Sequence, residues 1–278
     1  RAGDLDYINC PPQNIALQEM KKPTPGVVTV MPQPVGCVWI IFNVSKPPFD
    51  NKKVRQAVAY AIDKKEIIQA AYWGLGEYTN NQPFLNRSRM YVPVKDREYD
   101  PGKAKQLLAE AGFPNGFKTE FLQFSNTTYL DGCQVVVGQL KKIGIEGTLK
   151  VIDRAPYDEN LRKGEFTITV RGDSERLDPD DAYYLYFHSG EIDKNNRSRY
   201  SSQEMDALLE KGRTAWKWDD RAPIYQKVVE IIKEDLPILY LAKSVIPVAY
   251  RDYVKGFEAG AGTWFGYYGG GMLRVWLD

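Results

Sequence analysis

Three observations in the sequence predict an α/β fold. Strand-like runs alternate with helical stretches over most of the chain. The strand-like runs are short and rich in β-branched residues, as in Val27–Val30 and Phe166–Val170. Several helical stretches end at a glycine, as at Gly112 and Gly144, which is a common residue just beyond a helix. Alternation of this kind is typical of a sheet that is covered by helices.

Helical period and capping residues predict where the helices begin. Apolar residues at spacings of three and four mark one helical face: Val54, Ala57, Val58, Ala61 and Ile62. Asp63 and Glu66 have the spacing of a capping box, and so do Ser201 and Glu204. Further helices are predicted to begin at Asp100, Leu130, Pro156, Asp178 and Asp219.

The strands are predicted at 27–30, 38–42, 121–124, 145–152, 166–170 and 238–241. Both ends of the chain interrupt the alternation, because few helices are predicted in them. The first end is rich in proline and glycine, and the last end is rich in glycine and aromatic residues. The ends therefore look like pieces of a different domain that flank an inserted α/β domain.

Composition excludes several classes of function. The formal net charge is +1, so no nucleic-acid partner and no anionic membrane surface is expected. Since no apolar run approaches the ~20 residues of a spanning helix, the chain is not expected to cross a membrane. The single histidine and the three cysteines show no metal-ligand spacing, so neither a metal nor a cofactor is expected. Pairing among Cys10, Cys37 and Cys133 stays open.

The first residues are polar and are followed by no apolar run, so they do not form a signal peptide. Alone, this feature fits a cytosolic protein or a piece cut from a longer chain. The second interpretation is favoured, because Leu5–Ile8 looks like a strand that no turn precedes.

Six short stretches occur in a characteristic order along the chain. They are Phe42-Asn43 with Pro47–Asp50 and Val54–Asp63, Tyr99–Phe113, Ile143–Phe166, Leu177–Asp180, Arg199–Ser201 with Met205–Leu209, and Val254–Phe257. Together they resemble the family 5 extracellular solute-binding proteins, which serve dipeptide, oligopeptide, nickel and related ABC importers.

The resemblance implies a type II periplasmic-binding-protein-like lobe with flanking remnants of the first lobe. Residues 1–42 then correspond to the tail of the first lobe and a crossing strand, 43–248 to the second lobe, and 249–278 to the segment that returns. It also implies a monomeric, periplasmic or extracellular, non-enzymatic protein that captures a peptide or another small solute and docks on importer permease subunits. Hinges are expected near 37–43 and 247–253.

The resemblance places a candidate ligand site at the end of the predicted strand 166–170. Peptide-binding members hold the α-amino group of the ligand with an aspartate in this loop, and Asp173 matches that position. The Gly-Trp pair that often precedes the loop is Thr169-Val170 here. Arg171 either meets a ligand carboxylate with its planar fork or pairs with Asp173. The alternative for Asp173 is an Asx turn that satisfies local backbone donors.

Three further residues are candidates for ligand contact. Trp39 lies in the predicted crossing strand and either lines the cleft or packs in the core. Asn81 and Gln82 lie in a loop that often faces the cleft in the family.

Acidic residues near Asp173 allow a second hypothesis, a hydrolase that uses Asp173 with Asp178 or Glu175. A peptide-binding chaperone or receptor on the same fold is a third. Asp178, Asp180 and Asp181 also suggest a calcium site, but an N-cap followed by two acids at the positive end of a helix explains them better. His188 is interpreted as a helix-end residue and not as a base.

Overall fold

The computed structural model describes residues 5–9, 13–32, 34, 36–173, 176, 178–257 and 276–277. The strands are β1 Tyr7–Asn9, β2 Val27–Val30, β3 Gly36–Phe42, β4 Gly76–Tyr78, β5 Phe117–Phe124, β6 Ile145–Ile152, β7 Ile168–Asp173, β8 Ile238–Ser244, β9 Val248–Arg251, β10 Val254–Lys255 and β11 Trp276–Leu277.

The helices are α1 Gln13–Lys21, α2 Lys52–Ala61, α3 Lys64–Ala71, α4 Pro101–Glu110, α5 Thr127–Lys141, α6 Arg154–Lys163, α7 Pro179–Phe187, α8 Gln203–Thr214 and α9 Trp218–Asp235, with a short 3₁₀ helix at Ser189–Glu191. In the part of the chain that the structure covers, no helix has the length and apolar character needed to cross a membrane.

Six strands form the main sheet in the order β4-β8-β3-β7-β5-β6. β3 is antiparallel to both β7 and β8, whereas β5 is parallel to β6 and β7. The carboxyl ends of β5, β6, β7 and β8 therefore lie at one edge of the sheet, together with the starts of β3 and β4. We call this edge the carboxyl edge. The predicted α/β class is confirmed.

Helices cover both faces of the sheet because its central strands are apolar on both sides. In β3, Val38, Ile40 and Phe42 face α2–α5, and Cys37, Trp39 and Ile41 face α6–α9. We call the first core the aliphatic core, since it contains chiefly valine, isoleucine, leucine and alanine. The second is called the aromatic core, since tyrosines of α6, α7, α9 and β8 pack in it.

Strands β1 and β2, which precede the main sheet in the chain, join β9, which follows it, in a second, three-stranded sheet of order β1-β9-β2. In it β9 pairs with β1 on one side and with β2 on the other. β10 and β11 pair separately, and most of the predicted returning segment, 258–275 and 278, lies outside the described residues.

β3 is an inner strand of the main sheet, hydrogen-bonded to β7 on one side and to β8 on the other. Its residues are buried between the two helical layers. The division of the chain at residue 42 and the hinges near 37–43 and 247–253 stay predictions.

Capping is confirmed at some helices and corrected at others. Asp63 caps α3 by accepting from the backbone of Lys65 and Glu66. The return half of that capping box is made by Gln139, whose amide accepts from the Asp63 backbone and donates to Glu66. At α8 the cap is Ser202, one residue after the predicted Ser201.

Several short elements were missed: α1, β4, β9, β10, β11 and the 3₁₀ helix. The missed strands are only two to four residues long and depend on pairing with distant parts of the chain, as β4 does with β8 and β9 with β1 and β2.

Candidate functional site

The end of β7 carries Asp173, the main candidate of the sequence analysis, in a cluster with Arg176 and Tyr186. The Asp173 carboxylate accepts hydrogen bonds from Arg176 Nη2 at 3.1 Å and from the Tyr186 hydroxyl. Tyr186 reaches the strand from α7, the next helix along the chain. The side chains of Asp173 and Arg176 are 32% and 33% exposed, so this cluster lies at the surface of the carboxyl edge.

Burial and a nearby negative charge keep the Tyr186 hydroxyl protonated. Burial, reinforced by the negative charge of Asp173, raises the pKa of Tyr186 well above its usual range, so the hydroxyl remains a donor at neutral pH. Arg176 also reaches Asp181 at 3.2 Å, which ties the loop after β7 to the first turn of α7. Asp173 is thus a fixed acceptor that still faces solvent.

Arg171 makes its ion pair with Asp158 on α6, at 2.8 Å, and its side chain is only 19% exposed. Burial by itself lowers the pKa of Arg171, but Tyr157 and Asp158 more than offset it and leave the pKa raised. Asp158 also accepts a hydrogen bond from Arg154, so one carboxylate serves two guanidinium groups.

Trp39 packs against Tyr186 on the side of the aromatic core and is only 3% exposed. Its ring makes edge contacts with Tyr186 and Tyr240, each with centroids 5.4 Å apart. Its position therefore favours core packing under Tyr186, while direct contact with a ligand stays a prediction.

Asn81 and Gln82 are both buried and bonded to the backbone of other segments. The Asn81 carbonyl accepts from Tyr240 N at 2.9 Å. The Gln82 amide donates to Val92 O at 2.8 Å and accepts from Val92 N at 3.3 Å. These contacts favour a role in holding the loop against β8, and ligand contact by either residue stays a prediction.

A cavity of about 320 Å³ lies beside this loop at the outer strand β4. It is lined by Ile68, Gly76, Glu77, Tyr78, Thr79, Asn80, Phe84, Leu85, Asn86 and Tyr91. The neighbouring residue Asn80, which donates to the Tyr91 hydroxyl, belongs to its wall.

The three aspartates at the start of α7 each meet a different arginine. Asp178 caps the helix through Asp180 N and pairs with Arg221, so the predicted capping role is confirmed. Asp180 pairs with Arg213, and Asp181 with Arg176. Each of the three carboxylates is therefore paired with a guanidinium group, which fits acidic residues at the exposed start of a helix.

The paired-carboxylate hypothesis receives no support from Asp178. The hydrogen bond from Arg221 holds the pKa of Asp178 below its usual range, whereas a general acid needs a raised pKa. Glu175, the other predicted partner of Asp173, lies outside the described residues.

His188 ends α7, as predicted. Its backbone N–H donates to Tyr184 O at 3.0 Å, and its ring stacks on that of Tyr184 with centroids 4.3 Å apart. The Nδ1 atom accepts from Gly190 N at 3.0 Å, which caps the following 3₁₀ turn.

Two of the three cysteines lie in the described part of the chain. Cys37 and Cys133 are buried in opposite cores. Burial raises the pKa of Cys133 to about 12. Cys10 lies outside the described residues.

Sequence reasoning gave no role to Arg176 or Tyr186, although both contact Asp173. Arg176 lies in the motif, but its direction depends on the loop conformation. Tyr186 is one of several aromatic residues in α7, and only its place on the helix face toward β7 distinguishes it. No local signal identifies either contact.

Residues 1–194 match the family described as "Bacterial extracellular solute-binding proteins, family 5 Middle". Heme-binding protein A of Haemophilus influenzae is 34% identical over 275 residues, which are 97% of this chain and 50% of that protein. The dipeptide-binding protein of Escherichia coli is 26% identical over 226 residues, which are 79% of this chain and 42% of that protein. The chain spans about half the length of the curated relatives it matches.

Solved structures give the same result. The periplasmic binding protein DppA of Helicobacter pylori, in complex with the peptide STSA, is 29% identical with a TM-score of 0.90. HbpA2 of Haemophilus parasuis is 31% identical with a TM-score of 0.79. Each alignment covers 100% of this chain and 54% of the other. The predicted resemblance and lobe type are confirmed.

Proposed function

Because this chain belongs to family 5 of the bacterial extracellular solute-binding proteins, we propose that it supplies one lobe of the solute-binding component of an ABC importer. In this proposal a second lobe closes over the carboxyl edge and holds the solute between the two. The solute is peptide-like and carries an ammonium group. Its release to importer permease subunits takes place at the outer face of the membrane, from a monomeric carrier that performs no chemistry on it.

One observation carries the proposal: both chain crossings leave the main sheet at the edge where Asp173 lies. β3 starts at this edge and β8 ends there. The strands that precede β3 and follow β8 then join in the separate sheet β1-β9-β2. A lobe attached through that sheet would stand beside Asp173, as a closing cleft requires.

Asp173 supplies the proposed contact for the ammonium group. Its carboxylate accepts from Arg176 and Tyr186 and remains about one-third exposed, so a cation that enters from solvent can reach it. Closure of the second lobe would remove water from the pair and strengthen its attraction. The open lobe keeps the carboxylate satisfied until a solute arrives, which avoids an unpaired charge.

The test is calorimetry on the two-lobe protein with di- to tetrapeptides and hemin. Asp173→Asn is expected to weaken binding of the preferred peptide by about 2–5 kcal/mol, since one partner of an enclosed charge pair is lost. Asp181→Asn is the matched control, because Asp181 also pairs with Arg176 but lies on the exposed first turn of α7. Its affinity is expected to stay near that of the parent.

Equal losses in the two variants would show that the effect passes through Arg176 and not through a solute ammonium group. If nothing in the panel binds, the proposal of a peptide-like solute fails. The isolated chain is expected to bind the same peptide far more weakly than the two-lobe protein, because it carries one wall of the cleft.

A further inference from the structure

The cavity at β4 lies apart from Asp173. β4 is the last strand of the main sheet on its side, and β8 and β3 separate it from β7. Since neighbouring strands lie about 4.8 Å apart, roughly 14 Å separates β4 from the strand that carries Asp173. Asp173 is not among the described residues that line the cavity. A molecule in this cavity would therefore occupy a different place from a solute held by Asp173.

Two walls bound the cavity, β4 on one side and the 80–91 loop on the other. The Asn81 side chain fixes the loop to β8 by accepting from its backbone at 2.9 Å. Gln82 bonds with both of its amide atoms to the backbone at the end of the loop. Asn80 donates to the Tyr91 hydroxyl at 2.9 Å. The protein's own contacts therefore hold the loop in place, as in a preformed pocket.

The outer edge of β4 offers backbone donors and acceptors to the cavity. β4 is antiparallel to β8; the N–H of Thr79 donates to β8, and the carbonyl of Leu75 accepts from the residue that follows it. Alternate residues face a partner strand, so the N–H and C=O groups of Gly76 and Tyr78 point away from β8. Both residues line the cavity. A hydroxyl group suits this edge, because it can donate to a carbonyl and accept from an N–H.

The charge of the lining is already paired. Among the described residues that line the cavity, Glu77 alone is charged. Its two carboxylate oxygens accept from Arg87 Nη1 at 2.7 and 2.6 Å. Arg87 belongs to the 80–91 loop, so the pair also joins the loop to β4. A charged ligand would lose water here without meeting a further counter-ion among these residues, which favours a neutral ligand.

Apolar and aromatic side chains complete the lining. Ile68, Phe84 and Leu85 line the cavity and are buried, whereas Tyr78 is 51% exposed. Asn86 is exposed as well. The cavity thus combines a buried apolar floor with an aromatic ring and an amide at its rim. A pyranose ring complements both, because it carries C–H groups on its faces and hydroxyl groups around its edge.

We propose that this cavity binds a neutral, hydroxyl-bearing ring such as a pyranoside. Its volume of about 320 Å³ is at the lower end of the range for small-molecule pockets, so it has room for a single ring. In this assignment Tyr78 stacks on the ring, the Asn86 amide bonds one hydroxyl, and the outer edge of β4 bonds another. The inference goes beyond the proposed function and does not depend on it.

The experiment is NMR of the methyl-labelled two-lobe protein during titration with methyl β-D-glucopyranoside. The methyl resonances of Ile68 and Leu85 are expected to shift saturably, while that of Ile40, which is buried in β3, stays unchanged. Cyclohexanol, a ring with a single hydroxyl, and N-acetylalaninamide, a neutral peptide unit, are the comparison ligands. Tighter binding of either one than of the glucoside would overturn the assignment, and so would the absence of a saturable shift.

Variants at the exposed rim test the assigned contacts without disturbing the core. Tyr78→Ala and Asn86→Ala should each weaken glucoside binding by about two- to tenfold, the effect of losing one ring contact or one neutral hydrogen bond. Tyr99→Ala and Asn115→Ala, at exposed positions outside the cavity lining, are the matched controls and should not change it. Equal losses in a variant and its control would overturn the assigned contact.

The ion pair beside the cavity gives a second measurement. Arg87→Gln removes the partner of Glu77 and leaves its carboxylate available to a cation. Glucosamine, which is cationic in mildly acidic buffer, should then bind better relative to the glucoside than it does to the parent. An unchanged ratio would show that the Glu77–Arg87 pair does not set the preference for a neutral ligand.

Failure of this inference is distinguishable from failure of the proposed function. Asp173→Asn should leave glucoside binding unchanged, and a bound peptide should not displace the glucoside. Loss of glucoside binding in Asp173→Asn, or competition by a peptide, would place the ring in the solute cleft and overturn the inference. A panel in which no peptide binds bears on the proposed function alone.

Discussion

The two cores on opposite faces of the main sheet differ in chemistry. The aliphatic core, against α2–α5, contains mostly side chains without polar atoms. The aromatic core, against α6–α9, contains Tyr157, Tyr183, Tyr225 and Tyr240. The hydroxyls of Tyr183 and Tyr240 and the indole nitrogen of Trp39 are buried there without partners among the described residues.

This difference suggests a division of roles, in which the aliphatic core chiefly stabilises the fold and the aromatic core also supports the candidate site. The aliphatic core contains one such tyrosine hydroxyl without a partner among the described residues, that of Tyr72, so it is packed at a smaller polar cost. The aromatic core leaves polar atoms unsatisfied, yet it lies directly under Tyr186 and supports it through Trp39. Unsatisfied buried groups lower stability, so their presence beneath the candidate site indicates that the aromatic face serves more than packing.

The largest expected effect separates the cores within a single strand. Ile40 and Ile41 are adjacent in β3, both are almost fully buried, and they face opposite cores. Ile40→Ala should lower the free energy of unfolding by about 2–5 kcal/mol, because it leaves a dry cavity. Ile41→Ala should lower it by less, since a water molecule that enters a cavity in the aromatic core can find polar groups there.

Urea unfolding of both variants measures this difference. Val151→Ala, at an exposed position of β6, is the control and should change the free energy of unfolding by no more than about 0.5 kcal/mol. Equal losses for Ile40→Ala and Ile41→Ala would remove the energetic distinction between the cores.

A smaller effect is expected where α7 is anchored over the aromatic core. Asp178→Ala removes the N-cap of α7 and should lower the free energy of unfolding by about 1 kcal/mol at neutral pH. The Arg221 hydrogen bond lowers the pKa of Asp178 in the folded protein, so its carboxylate stabilises the fold above the unfolded pKa of about 3.9. This stabilisation disappears as the pH falls through the lowered folded pKa.

Denaturation of parent and variant between neutral and strongly acidic pH tests the sign. The difference in unfolding free energy between the two proteins should be constant near neutrality and shrink in acid. A difference that grows on acidification would contradict the ion pair.

The smallest effects distinguish satisfied from orphaned hydroxyls inside the aromatic core. The Tyr157 hydroxyl is hydrogen-bonded to Thr169 at 2.9 Å, so Tyr157→Phe should cost about 1 kcal/mol of stability. Tyr183→Phe removes a hydroxyl that has no partner among the described residues and should be neutral or slightly stabilising. Thermal unfolding followed by circular dichroism measures both, and a cost for Tyr183→Phe equal to that for Tyr157→Phe would show that its hydroxyl is satisfied after all.

Much of the fold could be predicted from sequence because its signals are local. Asp178-Pro179 predicts the start of α7, and Asp63 the start of α3, since a cap acts within one helical turn. The apolar run of β3 predicts a strand buried on both faces. Ser202 was missed by one residue, because adjacent serines offer two caps and only the backbone conformation selects one.

The candidate site was predictable only in part. The motif placed Asp173 at a strand end, where α/β proteins bind ligands. The partners of its neighbours were not predictable, because Arg171 reaches Asp158 across thirteen residues of chain and Arg176 turns to Asp173.

The sequence by itself therefore determined the α/β class, the family and the sites where most helices begin, because each follows from residues within a few positions of one another. The tertiary structure alone decided that β3 belongs to the main sheet and which arginine meets which aspartate. Ion pairs and strand order depend on how separate elements dock, and their energies change with burial and distance, quantities that a linear order of residues does not contain.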